Sequence, residues 1–252
     1  MTGDLALEQS PLGLGRGLRD RIRRTLHRTM PGRSKPATCP ASPRRPILLL
    51  HGFASSPGAL GPLERGLRSL TGRPIQRVAI SPGLDDLRDS AHRVEAVLGE
   101  YARHCPLDQV DVVGHSMGGL VATYLLKRID RGQRIRNVVT LGTPHRGSAA
   151  PAAGVMVLGP ISRALWQILP ESALIEELKW LPLPNGCQLV SIAGGDDALV
   201  PEHNARLAEL PGHRNVRVSG ASHWGLLFSR PVLEQVSASL LDTLGDGYCH
   251  AA

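Results

Sequence analysis

The segment Val110 to Asp130, VDVVGHSMGGLVATYLLKRID, holds the residues best arranged for chemistry. Ser116 stands in Gly114-His115-Ser116-Met117-Gly118, with a glycine two positions to either side. A serine hydroxyl exposed at a sharp strand-to-helix turn can attack an acyl carbon once a base removes its proton. Glycine is needed at the flanks because strand and helix approach closely there. The pattern alone is weakly diagnostic in a chain with 28 glycines. Its context is stronger: Val110, Val112 and Val113 read as a buried strand, and LVATYLLKRID reads as a helix with an apolar stripe.

A serine nucleophile needs a base and a group to orient that base, and loops after later strands supply candidates. SIAGGDDALVP ends one apolar run in Asp196 and Asp197, and VRVSGASHWGLL ends the next in a loop bearing His223. Among the ten histidines, His203 falls at a helix start and His213 ahead of a strand, which suits them less well. His51-Gly52-Phe53 directly follows the first apolar run. Its glycine lets the Phe53 N–H turn toward a site, where it and the N–H of Met117 would stabilise a developing oxyanion. An ordinary strand-ending turn is the alternative for that stretch.

The elements that must position these groups follow from hydrophobic patterning. Strands are expected at Ile47 to Leu50, Gln76 to Ser81, Gln109 to Val113, Ile135 to Leu141, Gln188 to Ala193 and Asn215 to Ser219. Helices are expected near 58–70, 86–104, 117–130, 202–209 and 231–243. Such βα alternation gives a mostly parallel sheet with helices on both faces, an α/β fold. Active groups then gather at the carboxyl ends of the strands, where the Ser116, Asp197 and His223 loops would open together.

Charge divides the chain. Residues 1–45 carry ten Lys or Arg against three acids, whereas residues 46–252 carry nineteen of each. Leu14, Leu18, Ile22, Leu26 and Met30 recur four apart among the arginines, so residues 14–30 read either as a helix that lies on an anionic membrane or as a segment that packs its stripe on the domain or simply frays. Residues 31–46 hold five prolines and read as a linker. The domain reading is therefore a basic arm and linker over 1–45 and a catalytic domain over 46–252. Only 3% of residues are aromatic and no recognition motif is present, which argues against nucleic acid as a partner.

Cys39, Cys105, Cys187 and Cys249 show neither a C-x-x-C pair nor metal-ligand spacing, so free thiols are expected, with two disulfides the alternative in an exported protein, and no metal or organic cofactor is called for. The chain opens on Met1 without an apolar leader and has no long apolar run. A cytoplasmic protein is expected, peripheral to a membrane if the arm binds lipid, with secretion left open.

From about Pro46 to Leu244 the chain resembles the α/β-hydrolase superfamily, in its bacterial lipase and esterase branch. The stretches that carry the resemblance are LLLHGF, VDVVGHSMGGLVA, VVTLGTPHRGS, GGDDALVP and SHWGLL. The resemblance implies Ser116 as nucleophile, His223 as base and Asp197 as acid, with Asp196 the adjacent rival, and the chain order serine, acid, histidine agrees. It further implies a carboxylic-ester hydrolase that works through an acyl-enzyme. An acyltransferase or thioesterase on the same fold is the neighbouring alternative, and a membrane-associated binding protein that has lost its chemistry is the alternative from another class. His145 of TPHRG reads as structural. Residues 148–184 interrupt the βα alternation with few charges and two tryptophans, and read as a helical cap or lid. Its Val155, Val157, Leu158, Ile161, Leu165, Trp166 and Leu169, with Trp224 beside His223, either line an acyl-chain pocket or, for the cap residues, make core contacts with the body.

Overall fold

The computed structural model describes residues 45–80, 85–104, 109–149 and 162–241. Ile47–Leu50 form strand β1, and all four residues are fully buried because the strand is covered on both faces. The others are β2 (Ile75–Val78), β3 (Val110–His115), β4 (Ile135–Leu141), β5 (Gln188–Gly194) and β6 (His213–Val218). They pair in the order β2-β1-β3-β4-β5-β6, and every pairing is parallel. All six expected strands are present, within a few residues of their expected ends.

Alternation along the strands divides the core in two. Leu48, Leu50, Val112, Val138 and Leu189 face one side, under helices α2 (Leu87–His104) and α3 (Met117–Tyr124). Ile47, Leu49, Val113, Val139 and Val190 face the other, under α1 (Gly61–Thr71) and α7 (Arg230–Leu241). The chain leaves β1 toward β2 on one side and returns to β3 on the other. That reversal opens a crevice at the carboxyl ends of β1 and β3, where ligands of such sheets bind.

The cap region contains α4 (Arg163–Ile168) and α5 (Ala173–Trp180). Each starts at a serine whose hydroxyl accepts an N–H three residues on: Ser162 from Leu165 at 3.2 Å and Ser172 from Ile175 at 3.3 Å. Ala164, Ile168, Leu174, Ile175 and Leu178 join the core on the α2 and α3 side, so these residues make body contacts. The helix expected over 117–130 divides into α3 and a π-helical stretch, Leu125–Asp130. Lys127 in that stretch donates to Leu178 O at 3.0 Å and Leu181 O at 2.7 Å, tying the helix that follows Ser116 to the end of α5. Burial pushes its ammonium down to about 8.

Helix α6 is shorter than expected, Glu202–Ala205 instead of 202–209. The Ala205 carbonyl is taken by the Ser191 hydroxyl at 2.7 Å, and the Leu207 N–H by Asn215 Oδ1 at 2.8 Å, so helical bonding stops there. Strand β6 correspondingly starts at His213, two residues early.

A buried ionic cluster holds the amino ends of the strands. Asp111 of β3 pairs with the buried Arg73 guanidinium, accepts from Arg45 Nη1 at 3.3 Å, and accepts both N–H groups of Asn137 at 3.2 and 2.8 Å. Arg73 Nε donates in turn to Arg45 O at 2.6 Å. Asp111→Ala would leave a buried guanidinium without its counter-charge, and should lower unfolding stability by about 3–5 kcal/mol. Urea melts that shift midpoint at unchanged slope would check this; a loss under 1 kcal/mol would show that Arg73 finds water instead.

Candidate active site

Ser116 sits between β3 and α3 at φ 54° and ψ −126°, a conformation that costs a residue with a side chain about 1–3 kcal/mol. Its N–H donates to Leu141 O at 2.8 Å, and its carbonyl accepts from Gly119 N–H at 2.9 Å and Thr143 Oγ1 at 2.9 Å. The glycine requirement is steric. A Cβ on Gly114 would stand 2.6 Å from Gly118 O, and one on Gly118 would stand 2.6 Å from Leu50 O. The helix start therefore lies directly against the end of β1, which brings the His51-Gly52-Phe53 turn beside the serine. Met117, as the first residue of α3, has a backbone N–H that no helical carbonyl can reach.

The two adjacent acids differ in placement. Asp196 is exposed, whereas Asp197 is buried and its Oδ2 accepts from His223 Nδ1 at 2.7 Å. Its Oδ1 accepts the N–H groups of Leu199 at 3.0 Å and Val200 at 2.8 Å. With Nδ1 donating to a carboxylate, the His223 Nε2 of a neutral ring keeps its lone pair and can take a proton. Gly142, at φ 53°, underlies this pair: a Cβ there would fall 2.8 Å from Asp197 Oδ2 and 3.1 Å from His223 Nδ1. Nothing in the single sequence distinguishes Gly142 from its fellow glycines, and only the LGTPHRGS stretch hinted at its neighbourhood.

Burial lowers the pKa of several other histidines, of which His115 and His51 lie beside Ser116. His115 Nε2 donates to His223 O at 2.9 Å, and burial, with His223 nearby, pushes its pKa down to about 4. His51 accepts the Ile80 N–H at Nε2, 3.2 Å, and donates from Nδ1 to Gly52 O at 3.0 Å; burial lowers its pKa. His145 is buried against Thr140 Oγ1 at 2.9 Å, and burial, then Lys127, push it down to about 3. His213 is lowered by burial, donating to Ala208 O at 2.9 Å. His203 lies in α6.

Apolar side chains stand exposed beside Asp197 and His223: Leu199, two residues after Asp197, and Trp224, next to His223 and 50% exposed. Phe228 follows and is also exposed, while Phe53 is half-buried. In the cap, Leu165 is buried and Trp166 exposed. Val155, Val157, Leu158 and Ile161 lie outside the described residues, as do residues 1–44 and Cys39, Cys105 and Cys249. Cys187 is a buried free thiol. Among the described residues no three His, Cys, Asp or Glu gather as metal ligands, and no helix is long and apolar enough to cross a membrane. A cavity of about 690 Å³, lined by Arg45, Gln109, Arg136, Asn137 and Gln188 among others, opens at the amino ends of the strands, away from Ser116.

The family profile described as "PGAP1-like alpha/beta domain" matches residues 87–214, about half of the chain, a span that includes Ser116 and Asp197. Among solved structures, the mature form of Bacillus licheniformis lipase BlEst2 is 19% identical, with 81% of this chain and 96% of that one covered at a TM-score of 0.65. A gene product of Listeria innocua is 17% identical, covering 82% and 96% at 0.62. A monoacylglycerol lipase of Paleococcus ferrophilus is 15% identical, covering 77% and 94% at 0.56. These likenesses establish the α/β-hydrolase fold.

Three buried histidines, His51, His115 and His145, set an acid limit on stability. Their folded pKa values lie below the unfolded 6.5, so the unfolded chain takes up protons first on acidification. The stability they contribute is complete above pH 6.5 and is lost as pH falls toward 4 for His115 and 3 for His145. Each fully titrating imidazole steepens the loss by about 1.4 kcal/mol per pH unit. Urea melts across this range should show it, and His145→Gln, which keeps an amide near Thr140, should flatten the profile. Identical slopes for variant and parent would show that His145 titrates normally.

Proposed function

The chain belongs to the PGAP1-like alpha/beta domain family, and on that premise we propose that it is a carboxylic-ester hydrolase with Ser116 as nucleophile, His223 as base and Asp197 as acid. The observation that carries the reading is the 2.7 Å bond from His223 Nδ1 to Asp197, in a loop bound to the residue preceding the strained serine. A surface histidine would have no need of a buried carboxylate held by two further N–H groups.

The chemistry follows from these contacts. Ser116 Oγ attacks the ester carbonyl carbon as His223 Nε2 takes the hydroxyl proton, while Asp197 holds the imidazole tautomer and steadies its positive charge. The carbonyl oxygen gains the negative charge, and the N–H groups of Phe53 and Met117 receive it. A donor of this kind is worth about 3 kcal/mol in comparable sites. Collapse expels the alkoxide, which leaves as the alcohol with the proton from His223. Water then gives a proton to His223 and its hydroxide to the acyl carbon, and the acid departs as Ser116 regains its hydrogen.

The substrate read from the rim is an ester with an apolar chain. Leu199 and Trp224 offer apolar area next to the acid and the base, which polar substrates would leave unused.

Ser116→Ala should abolish nitrophenyl-ester turnover, by about 10⁴-fold or more, without loss of thermal stability. Asp197→Asn should cost far more activity than Asp196→Asn, because only the buried acid bonds the base. Equal losses at the two acids, or full activity in the alanine variant, would sink this assignment.

Chain length tests the rim. Each added methylene that leaves water is worth up to about 0.8 kcal/mol, so kcat/KM should climb from acetyl toward octanoyl esters below their aggregation limits. Trp224→Ala should flatten that climb. A steady fall from the acetyl ester would instead identify a small-ester hydrolase.

A further inference from the structure

Resting on the reading of Ser116 and His223 as nucleophile and base, we infer that His115 is a positioning residue whose Nε2–H holds the His223 backbone at a fixed place relative to the serine. The residue between glycine and serine in this motif is free to vary as far as the turn is concerned, since its own backbone is ordinary strand. Here it does something the turn does not require. Its ring reaches from the last position of β3 across to the base loop and donates to the His223 carbonyl at 2.9 Å, with both residues buried.

A carbonyl can only accept, so the His115 proton must be on Nε2. Burial disfavours a second proton, which leaves a single neutral tautomer at neutral pH. His223, Asp197 and His51 are the titratable groups that act on the ring. The seat for the ring is provided by Gly52, where a Cβ would lie 3.4 Å from His115 Nδ1 and 3.1 Å from Ser116 Cβ. On the other side the ring meets His223 at 4.8 Å and Trp224 at 5.7 Å between centroids.

The base loop is built to receive this bond. Leu226 N–H pairs with Ser222 O at 3.0 Å and Leu227 N–H with Trp224 O at 3.0 Å, so the carbonyls on either side of His223 serve the loop's own turn. The carbonyl between them is met by the elbow. A second tie, Asp196 N–H to Ala221 O at 3.1 Å, joins the loop to the turn that carries the acid. His223 is thus located from two directions: the acid turn sets its ring through Asp197, and the nucleophile elbow sets its backbone through His115. Because His115 and Ser116 are consecutive, one peptide unit and one hydrogen bond link nucleophile and base directly.

The test compares His115→Leu, which removes the donor, with His115→Gln, which keeps an N–H of similar reach. Misplacing a reacting group by about 1 Å costs up to about 10²-fold, so the leucine variant should lose about 10- to 100-fold in kcat with little change in KM. The glutamine variant should recover most of that loss. The low-field proton resonance of the His223–Asp197 bond should broaden in the leucine variant and persist in the glutamine one, a change that loss of stability alone would not produce. A folded leucine variant with unchanged kcat and an unchanged low-field proton would overturn the inference. Nitrogen-15 histidine spectra of the unmodified protein decide the matter even if the leucine variant does not fold: an Nε2–H tautomer at His115 supports the bond, and an Nδ1–H tautomer refutes it. Absence of ester turnover in the unmodified protein would count against the hydrolase reading, while the two spectroscopic readouts would still judge His115.

Discussion

A residue with a side chain keeps φ 54° and ψ −126° only where its surroundings leave it no better choice, and at Ser116 the constraint comes from four sides. Leu141 of β4 takes its N–H, while Gly119 of α3 and Thr143 of the loop after β4 take its carbonyl. The end of β1 closes the fourth side, against Gly118. Three hydrogen bonds of about 1 kcal/mol each are enough to offset a strain of about 1–3 kcal/mol. The consequence is geometric: β1, β3, β4 and α3 cannot shift independently without releasing the serine. The turn after β1 and the first residue of α3, which the proposed mechanism uses as oxyanion donors, are positioned by the same contacts.

The two ends of the sheet divide the work. At the amino ends, Arg73, Asp111, Arg45 and Asn137 link the start of β1, the approach to β2, and strands β3 and β4. At the carboxyl ends, polar groups serve the site and the backbone is strained. Parallel strands with continuous apolar cores connect the two, so the register fixed at one end is delivered at the other. Lys127 extends the frame outward, since its bonds to Leu178 O and Leu181 O fasten the cap to the helix that begins after Ser116.

The sequence made the sheet readable because buried parallel strands are written as apolar runs, and each of the six runs is a strand. Element ends were harder to read, because they depend on side chains distant in sequence. The end of α6 is set by Ser191 and Asn215, which no local pattern around residues 202–209 could reveal. The site shows the same division. Ser116 and His223 stand out through motif and loop placement, while Asp197 is preferred to the adjacent Asp196 only through the family resemblance until the turn is built and one of them points inward. His115 and Gly142 carried no distinguishing signal, for their importance lies in contacts across more than fifty positions of chain. The cap was legible as an interruption of the βα pattern, yet which of its apolar residues face the body is a matter of packing alone.

The low basicity of the histidines around the site has a functional side as well as a cost in stability. In the proposed mechanism His223 becomes a cation each time Ser116 attacks, and Asp197 is the one carboxylate bonded to it. The His115 ring lies 4.8 Å away between centroids. Were it charged at that moment, two cations at this distance would repel by about 3 kcal/mol at an effective dielectric constant of about 20, or roughly a hundredfold in rate. Burial prevents this without any further charged group, because a ring that is pushed down to about 4 is neutral at neutral pH. An amide in its place would be neutral at every pH, whereas a lysine or arginine would carry the repulsion permanently. The position therefore calls for a neutral donor that reaches the next loop, and a buried histidine meets both conditions with a ring that also packs against Trp224.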